Sequence, residues 1–192
     1  VPEDSKPPRP RNAGRGAPVL AQFTAREQVG PATREALAGC WTDVTNAGGA
    51  AGFPFPPVDR SETGPALERI VDALAPDSCR LLAAVRDGEL VGWLNLRRDQ
   101  FELIAHWGTL HHVQTHPKVQ GQGYGTALVQ EARRVAREEM GLEQLRLAAR
   151  AGVGLEDFYG RLGWREIGRW PGALRLAPGD DRDEILMHLS PL

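Results

Sequence analysis

The chain has 192 residues, with 23 Lys and Arg against 25 Asp and Glu, and a formal net charge of −2. That length suits a single domain burying about 70% of its unfolded-chain surface, and the charge balance argues against nucleic-acid binding through bulk electrostatics. Cys40 and Cys79 lie far apart with no CxxC pairing, so reduced thiols are expected, and no apolar run is long enough for a membrane span or signal peptide. The expected location is the cytoplasm.

The first 18 residues combine Pro2, Pro7, Pro8, Pro10 and Pro18 with Lys6, Arg9, Arg11 and Arg15. This composition predicts a disordered basic tail over 1–18, leaving 19–192 as the folded domain. Val19 to Phe23 reads as a strand. A helix follows from Pro31 to about Thr45, with Pro in its first turn and Leu37, Cys40, Trp41 and Val44 on one face. Asn46 to Pro57 is too rich in Gly and Pro for regular structure. A second helix is expected from about Gly64 to Leu74, capped by Ser61 or Thr63.

Strands Leu81–Val85 and Leu90–Leu96 flank Asp87-Gly88, the strongest hairpin signal in the chain. After a less regular patch from Arg97 to Gly108, Thr109–Thr115 forms a strand that runs into a glycine-rich turn. The helix beyond it is expected from Thr126 to about Met140, where Leu128, Ala132, Val135 and Ala136 recur at helical spacing and Gly141 stops it. Leu142–Ala149 reads as a strand and about Gly154 to Leu162 as a short helix. Arg165–Trp170 and Glu184–Leu189 supply two last strands, with Pro171–Asp183 as a polar excursion between them. Hairpins mixed with a crossover helix imply a mixed α/β sheet.

The run from Val113 to Thr126 carries the chemistry. Gly121, Gly123 and Gly125 let the backbone curl so that successive N–H groups converge on an anion at the positive end of the next helix. A P-loop would need Lys-Ser/Thr after the last glycine, and Thr126-Ala127 stands there. The dinucleotide fingerprint fails as well, because Thr126 or Leu128 occupies the place of its third glycine.

What fits is Gln120-x-x-Gly123-x-Gly125, which resembles the pyrophosphate-binding motif of the GNAT acetyltransferase superfamily, Gln/Arg-x-x-Gly-x-Gly/Ala. Downstream, Phe158-Tyr-Gly-Arg-Leu-Gly-Trp164 resembles that family's Phe-Tyr-x-x-x-Gly-Phe signature. The resemblance covers roughly Leu81 to Leu189. It implies an α+β fold with a mixed, mostly antiparallel central sheet of six to seven strands flanked by about four helices. It also implies an acetyl-CoA-dependent N-acetyltransferase, with acetyl-CoA (CoA) held by Val113, Gln114 and Thr115 of the strand and by Gln120, Gly121, Gln122, Gly123, Tyr124, Gly125 and Thr126 of the turn. Tyr159 is then the expected general acid at the cofactor sulfur.

The acceptor amine needs a base, because an alkyl amine with a pKa near 10.4 is almost wholly protonated at neutral pH, roughly. In the arylalkylamine branch of the superfamily a histidine stands nine residues before the motif's first residue, which here is His111. Strand alternation is expected to send His112 to the opposite face. A metal site on His111-His112-x-x-x-His116 fails on geometry, since His112 and His116 would lie about 13 Å apart on an extended strand; no metal is expected.

Two departures from the family stand out: Gln120 replaces the commoner arginine, and Gly152 replaces a frequent asparagine. Trp41, Asn46, Glu102, Trp107 and Asp180 are acceptor-pocket candidates by placement. The expected partner is a small-molecule amine, with no nucleic acid and no membrane, and a homodimer is compatible with the sequence. Two other readings stay open: a protein N-terminal or lysine acetyltransferase, and a non-catalytic acyl-CoA-binding sensor.

Overall fold

Asp87 and Gly88 both adopt positive φ, 51° and 84°, the backbone that a two-residue hairpin turn requires. They join β2 (Cys79–Arg86) to β3 (Glu89–Arg98), the centre of a seven-stranded sheet. The computed structural model describes residues 18–49, 52–53 and 56–192. The tail expected over 1–18 therefore lies outside the described residues except for Pro18, as does part of the 46–57 loop.

The remaining strands are β1 (Val19–Phe23), β4 (Trp107–Thr115), β5 (Gln144–Arg150), β6 (Arg165–Ala177) and β7 (Asp180–Leu189). Their order is β1-β2-β3-β4-β5-β7-β6. Every neighbouring pair is antiparallel except β4 with β5, which are parallel. Helices α1 (Pro31–Asn46) and α2 (Arg60–Asp72) cover one face of the sheet. Their core gathers Leu37, Trp41, Leu67 and Val71 against Leu81, Ala83 and Trp93. On the other face α3 (Tyr124–Arg134) and α4 (Leu155–Arg161) pack Leu128, Ala132 and Tyr159 onto Leu94, Leu110, Leu145 and Ile185. Both cysteines are free and buried, and burial, with help from Asp43, pushes the Cys40 thiol up to about 12.

Three boundaries differ from the sequence-based expectation. Helix α2 starts at Arg60 because Asp59 is its cap: its carboxylate accepts from the Ser61 N–H at 2.7 Å while Glu62 accepts from the Asp59 N–H at 3.1 Å. This reciprocal capping box outcompetes Ser61 and Thr63. Helix α3 starts at Tyr124 rather than Thr126, directly on Gly123, and gives way to a π-helical turn at Val135–Glu139.

The expected polar excursion over Pro171–Asp183 is instead a long hairpin of β6 and β7 turning at Pro178-Gly179, with register shifts absorbing the irregular stretch around Pro171. β6 is the sheet's edge, where a proline costs no ladder bond and polar side chains face water. The charge run supports the hairpin through cross-strand pairs such as Arg175 with Asp181 at 2.7 Å.

Candidate functional site

The parallel pairing of β4 with β5 covers only Trp107, Gly108 and Thr109 against Gln144, Leu145 and Arg146. Beyond Thr109 the two strands part, and the backbone edge of Leu110 to Thr115 has no ladder partner on the β5 side. Unpaired backbone groups in a protein interior demand a partner. The gap opens into a cleft of about 560 Å³ whose walls are Val113–Thr115, the glycine turn, the end of α1, and Arg150, Phe158, Tyr159 and Arg161.

A one-residue bulge shapes the strand at this point. Trp93 pairs with Gln114 and Asn95 with His111, so His112 and Val113 together oppose Leu94. His112 takes φ 53°. The extra residue cancels the alternation of side chains, and His112 stays on the α1 face with His111 rather than crossing over. The two imidazole rings lie 6.1 Å apart, and His112 packs 4.6 Å from Trp41. This corrects the expectation that His111 and His112 occupy opposite faces.

The turn after β4 is held by its own side chains. Gln120 donates from its amide to the Thr115 carbonyl at 3.3 Å, tying strand end to turn. Gly121 and Gly123 have φ of 72° and 93°, a region that costs an L-residue about 1–2 kcal/mol. Gly123 caps α3, so the first free N–H groups of that helix face the cleft. The Gln122 side chain turns away, donating to the Lys118 carbonyl and accepting from Arg86 at 3.3 Å. Arg86 thus brings a cation beside the turn that lacks the family's arginine, and Arg161 brings another to the cleft wall. Neither was singled out by sequence, because Arg86 is remote in the chain and Arg161 occupies a variable position of its motif.

The two motifs meet. A Cβ on Gly125 would lie 3.5 Å from the Phe158 ring and 3.7 Å from Thr115, so the turn is packed directly against α4. Tyr159 is 4% exposed and packs edge-on against Phe158 and Trp164. Burial raises its phenol above the usual tyrosine range, so the group keeps its proton at neutral pH.

His111 behaves in the opposite sense. Burial first, then Arg97, His112 and Arg146, lower its imidazole to about 4. It is neutral at pH 7, and it lines none of the described cavities.

The structure disperses the acceptor candidates. Trp41 is core, 2% exposed. Asn46 clamps Val58 through the backbone N–H and C=O at 2.8 and 2.9 Å. Glu102 sits in an exposed 3₁₀ turn, and Trp107 is stacked by the Arg146 guanidinium at 3.7 Å. Only Asp180 lines a cavity, where it is paired with Arg182. Arg150 is the missed residue here: it lines the cleft and two further cavities. Among the described residues there is no group of three or more side chains that could hold a metal, and no helix is long and apolar enough to cross a membrane.

Residues 35–164 match the Acetyltransferase (GNAT) family, which places the splayed strands and glycine turn in a known class, the acyltransferases. The chain belongs to that family. Its fold is similar to the crystal structure of ribosomal-protein-alanine N-acetyltransferase from Brucella melitensis, at 22% identity and TM-score 0.69 over 90% of this chain and 99% of that one. A second likeness is to aminoglycoside 6'-N-acetyltransferase complexed with coenzyme A, at 17% identity and TM-score 0.66 over 90% and 96% of the two chains. Among curated proteins, a 53-residue stretch is 49% identical to Elongator complex protein 3 of Dictyostelium discoideum, covering 28% of this chain and 9% of that protein. The match thus spans about a tenth of that relative's length.

Proposed function

We propose that the protein transfers an acetyl group from acetyl-CoA to a primary amine of a small molecule, directly within a ternary complex. The observation that carries the acceptor class is a second cavity of about 540 Å³. It shares Gly48, Gly49, Arg150 and Val153 with the cleft and is lined further by Phe53, Leu176 and Pro178. Cavities of that size suit small ligands, whereas a polypeptide needs an open groove.

The residues present fit acetyl-CoA. The left-handed glycines and the free N–H groups at the start of α3 suit a diphosphate, with Arg86, Lys118 and Arg161 nearby as cations. The unpaired edge of Val113–Thr115 suits the amide-bearing pantetheine arm. When bound, acetyl-CoA supplies an activated acyl carbon: a C–N bond forms to the amine, the C–S bond breaks, and one amine proton must leave.

A backbone N–H of β4 stabilises charge on the carbonyl oxygen, a contribution of about 3 to 4 kcal/mol for one preorganised donor. Tyr159 donates its hydrogen bond to sulfur. His111 lines none of the described cavities, so its proposed part is that of a relay at the far end of intervening water, and a group near 4 passes the proton to solvent without storing it.

The test is thiol release from acetyl-CoA across a panel of small amines and lysine- or alanine-terminated peptides. Small amines are expected to give the higher kcat/KM. Peptides turned over about tenfold better would favour the protein-directed reading, and saturable acetyl-CoA binding without thiol release from any acceptor would favour a sensor.

A further inference from the structure

Buried polar atoms without partners are rare in folded proteins, and each calls for an explanation. Among the described residues they are Thr45 Oγ1, Arg98 Nε, both amide atoms of Gln114, Arg150 Nε and Trp164 Nε1. Thr45, Gln114 and Arg150 gather at one place, where the cleft and the second cavity meet around Gly48 and Gly49. Thr45 is 2% and Gln114 4% exposed. Those atoms find no hydrogen-bond partner among the described residues, as in a junction built for a polar ligand.

The charges there are equally one-sided. Arg182 is neutralised by Asp180, and Arg175 by Asp181. Among the described residues Arg150 forms no ion pair; its only described hydrogen bond goes to the Gly48 carbonyl. Burial and the neighbouring Arg182 lower its pKa, and Asp180 offsets this only in part, as for a cation short of counter-charge. Directly across the ladder stands Glu184, paired with Arg150 in register. Its carboxylate also has no described ion pair or hydrogen bond, and it shares a third cavity of about 300 Å³ with Arg150, Gly49 and Phe53. One unmatched cation and one unmatched anion thus face the same space, a few ångströms from the acyl-transfer cleft on the scale of neighbouring strands.

Resting on the small-amine reading above, we propose that the acceptor is an amine that also carries a carboxylate, an amino-acid-like zwitterion whose carboxylate is bound by Arg150 and whose amine reaches into the acyl-transfer cleft that Arg150 also lines. Thr45 and Gln114 complete the polar contacts. A charge-assisted hydrogen bond in such a site discriminates strongly, because the acid-lacking analogue leaves Arg150 unpaired.

The experiment compares matched acceptors that differ only in the acid: α-amino acids, their carboxamides and the corresponding decarboxylated amines, assayed by thiol release at saturating acetyl-CoA. For the wild type, kcat/KM is expected to be at least about tenfold higher for the acids. In Arg150→Gln that preference collapses, chiefly through KM for the acid, while Arg150→Lys retains part of it. Equal or better turnover of the carboxamides or decarboxylated amines by the wild type overturns the proposal and leaves the small-amine reading standing. So does an acid preference that survives Arg150→Gln. If acetyl-CoA binds by calorimetry yet no small amine releases thiol, the reading and the proposal fall together. The wild-type comparison decides even where Arg150→Gln, by losing its bond to Gly48, folds poorly.

Discussion

At the residue scale, the proposed chemistry rests on one phenol and one imidazole whose environments push them apart. Tyr159 is held protonated by burial in the α3–α4 core, so the part proposed for it is a fixed hydrogen bond, not a titrating acid. Tyr159→Phe is expected to lower kcat about 10- to 100-fold with little change in acetyl-CoA affinity, measured as thiol release at saturating cofactor beside calorimetric binding. An unchanged kcat would remove Tyr159 from the chemistry. His111 is displaced toward acid by burial and by Arg97, His112 and Arg146. The kcat/KM profile between about pH 5.5 and 7.5 should therefore carry no inflection from it. An inflection near pH 6.5, roughly the ordinary histidine value, that vanished in His111→Gln would contradict this assignment.

At the scale of elements, the glycine turn and the end of α3 each rest on a local backbone choice. Gly123→Ala puts a side chain at φ 93° and is expected to destabilise the fold by about 1–2 kcal/mol and to weaken acetyl-CoA binding. Gly125→Ala meets only ordinary contacts with Phe158 and Thr115 and should fold normally; urea unfolding and calorimetry on both variants separate strain from crowding. The π-turn places Met140, rather than Glu139, beneath Val135 through the Met140 N–H to Val135 C=O bond. Glu139 is thereby free to bind Arg80, Gln22 and Arg134. These hydrogen bonds lower the Glu139 carboxyl to about 2. Because the folded value is depressed, the stabilisation is complete above about pH 4.5 and is lost as pH falls toward 2. Glu139→Gln strands Arg80, 7% exposed, but Glu139 is itself 33% exposed. The expected cost is about 1–2 kcal/mol at pH 7, shrinking by pH 3, by urea unfolding at both values. Sequence reading found the α3 stripe but not this turn, since Glu139 at helical spacing from Val135 carries no mark that the ladder widens. It also missed the capping box at Asp59, where three neighbouring candidates competed and only the reciprocal Glu62 bond decides.

At the scale of the whole molecule, the order of elements, both cofactor motifs and the sheet that joins them were legible in the residues, because glycine turns and hairpin dipeptides are local signals. The proposed acceptor side was not: it would be assembled from the end of α1, β5 and an edge hairpin whose charges read as a solvated loop, and Arg150 stands out only beside Gly48 and Glu184. The splay of β4 from β5 predicts a global response. Saturating acetyl-CoA at about a hundred times its Kd should stabilise the fold by roughly 2.7 kcal/mol, and hydrogen exchange should slow at the Leu110–Thr115 amides that face the gap. Protection confined to the glycine turn would show that the pantetheine arm does not lie along the strand. The bulge at His112 sets the polarity of that strand. Flatten the bulge with every residue kept, so that His112 alone opposes Leu94, and the pleat would reset its phase: Val113 and Thr115 would swing toward Trp93, Gln114 would be driven among the leucines of the opposite layer, and the acyl channel would trade its lining for its backing. One supernumerary residue thus lets the two halves of a strand obey different neighbours.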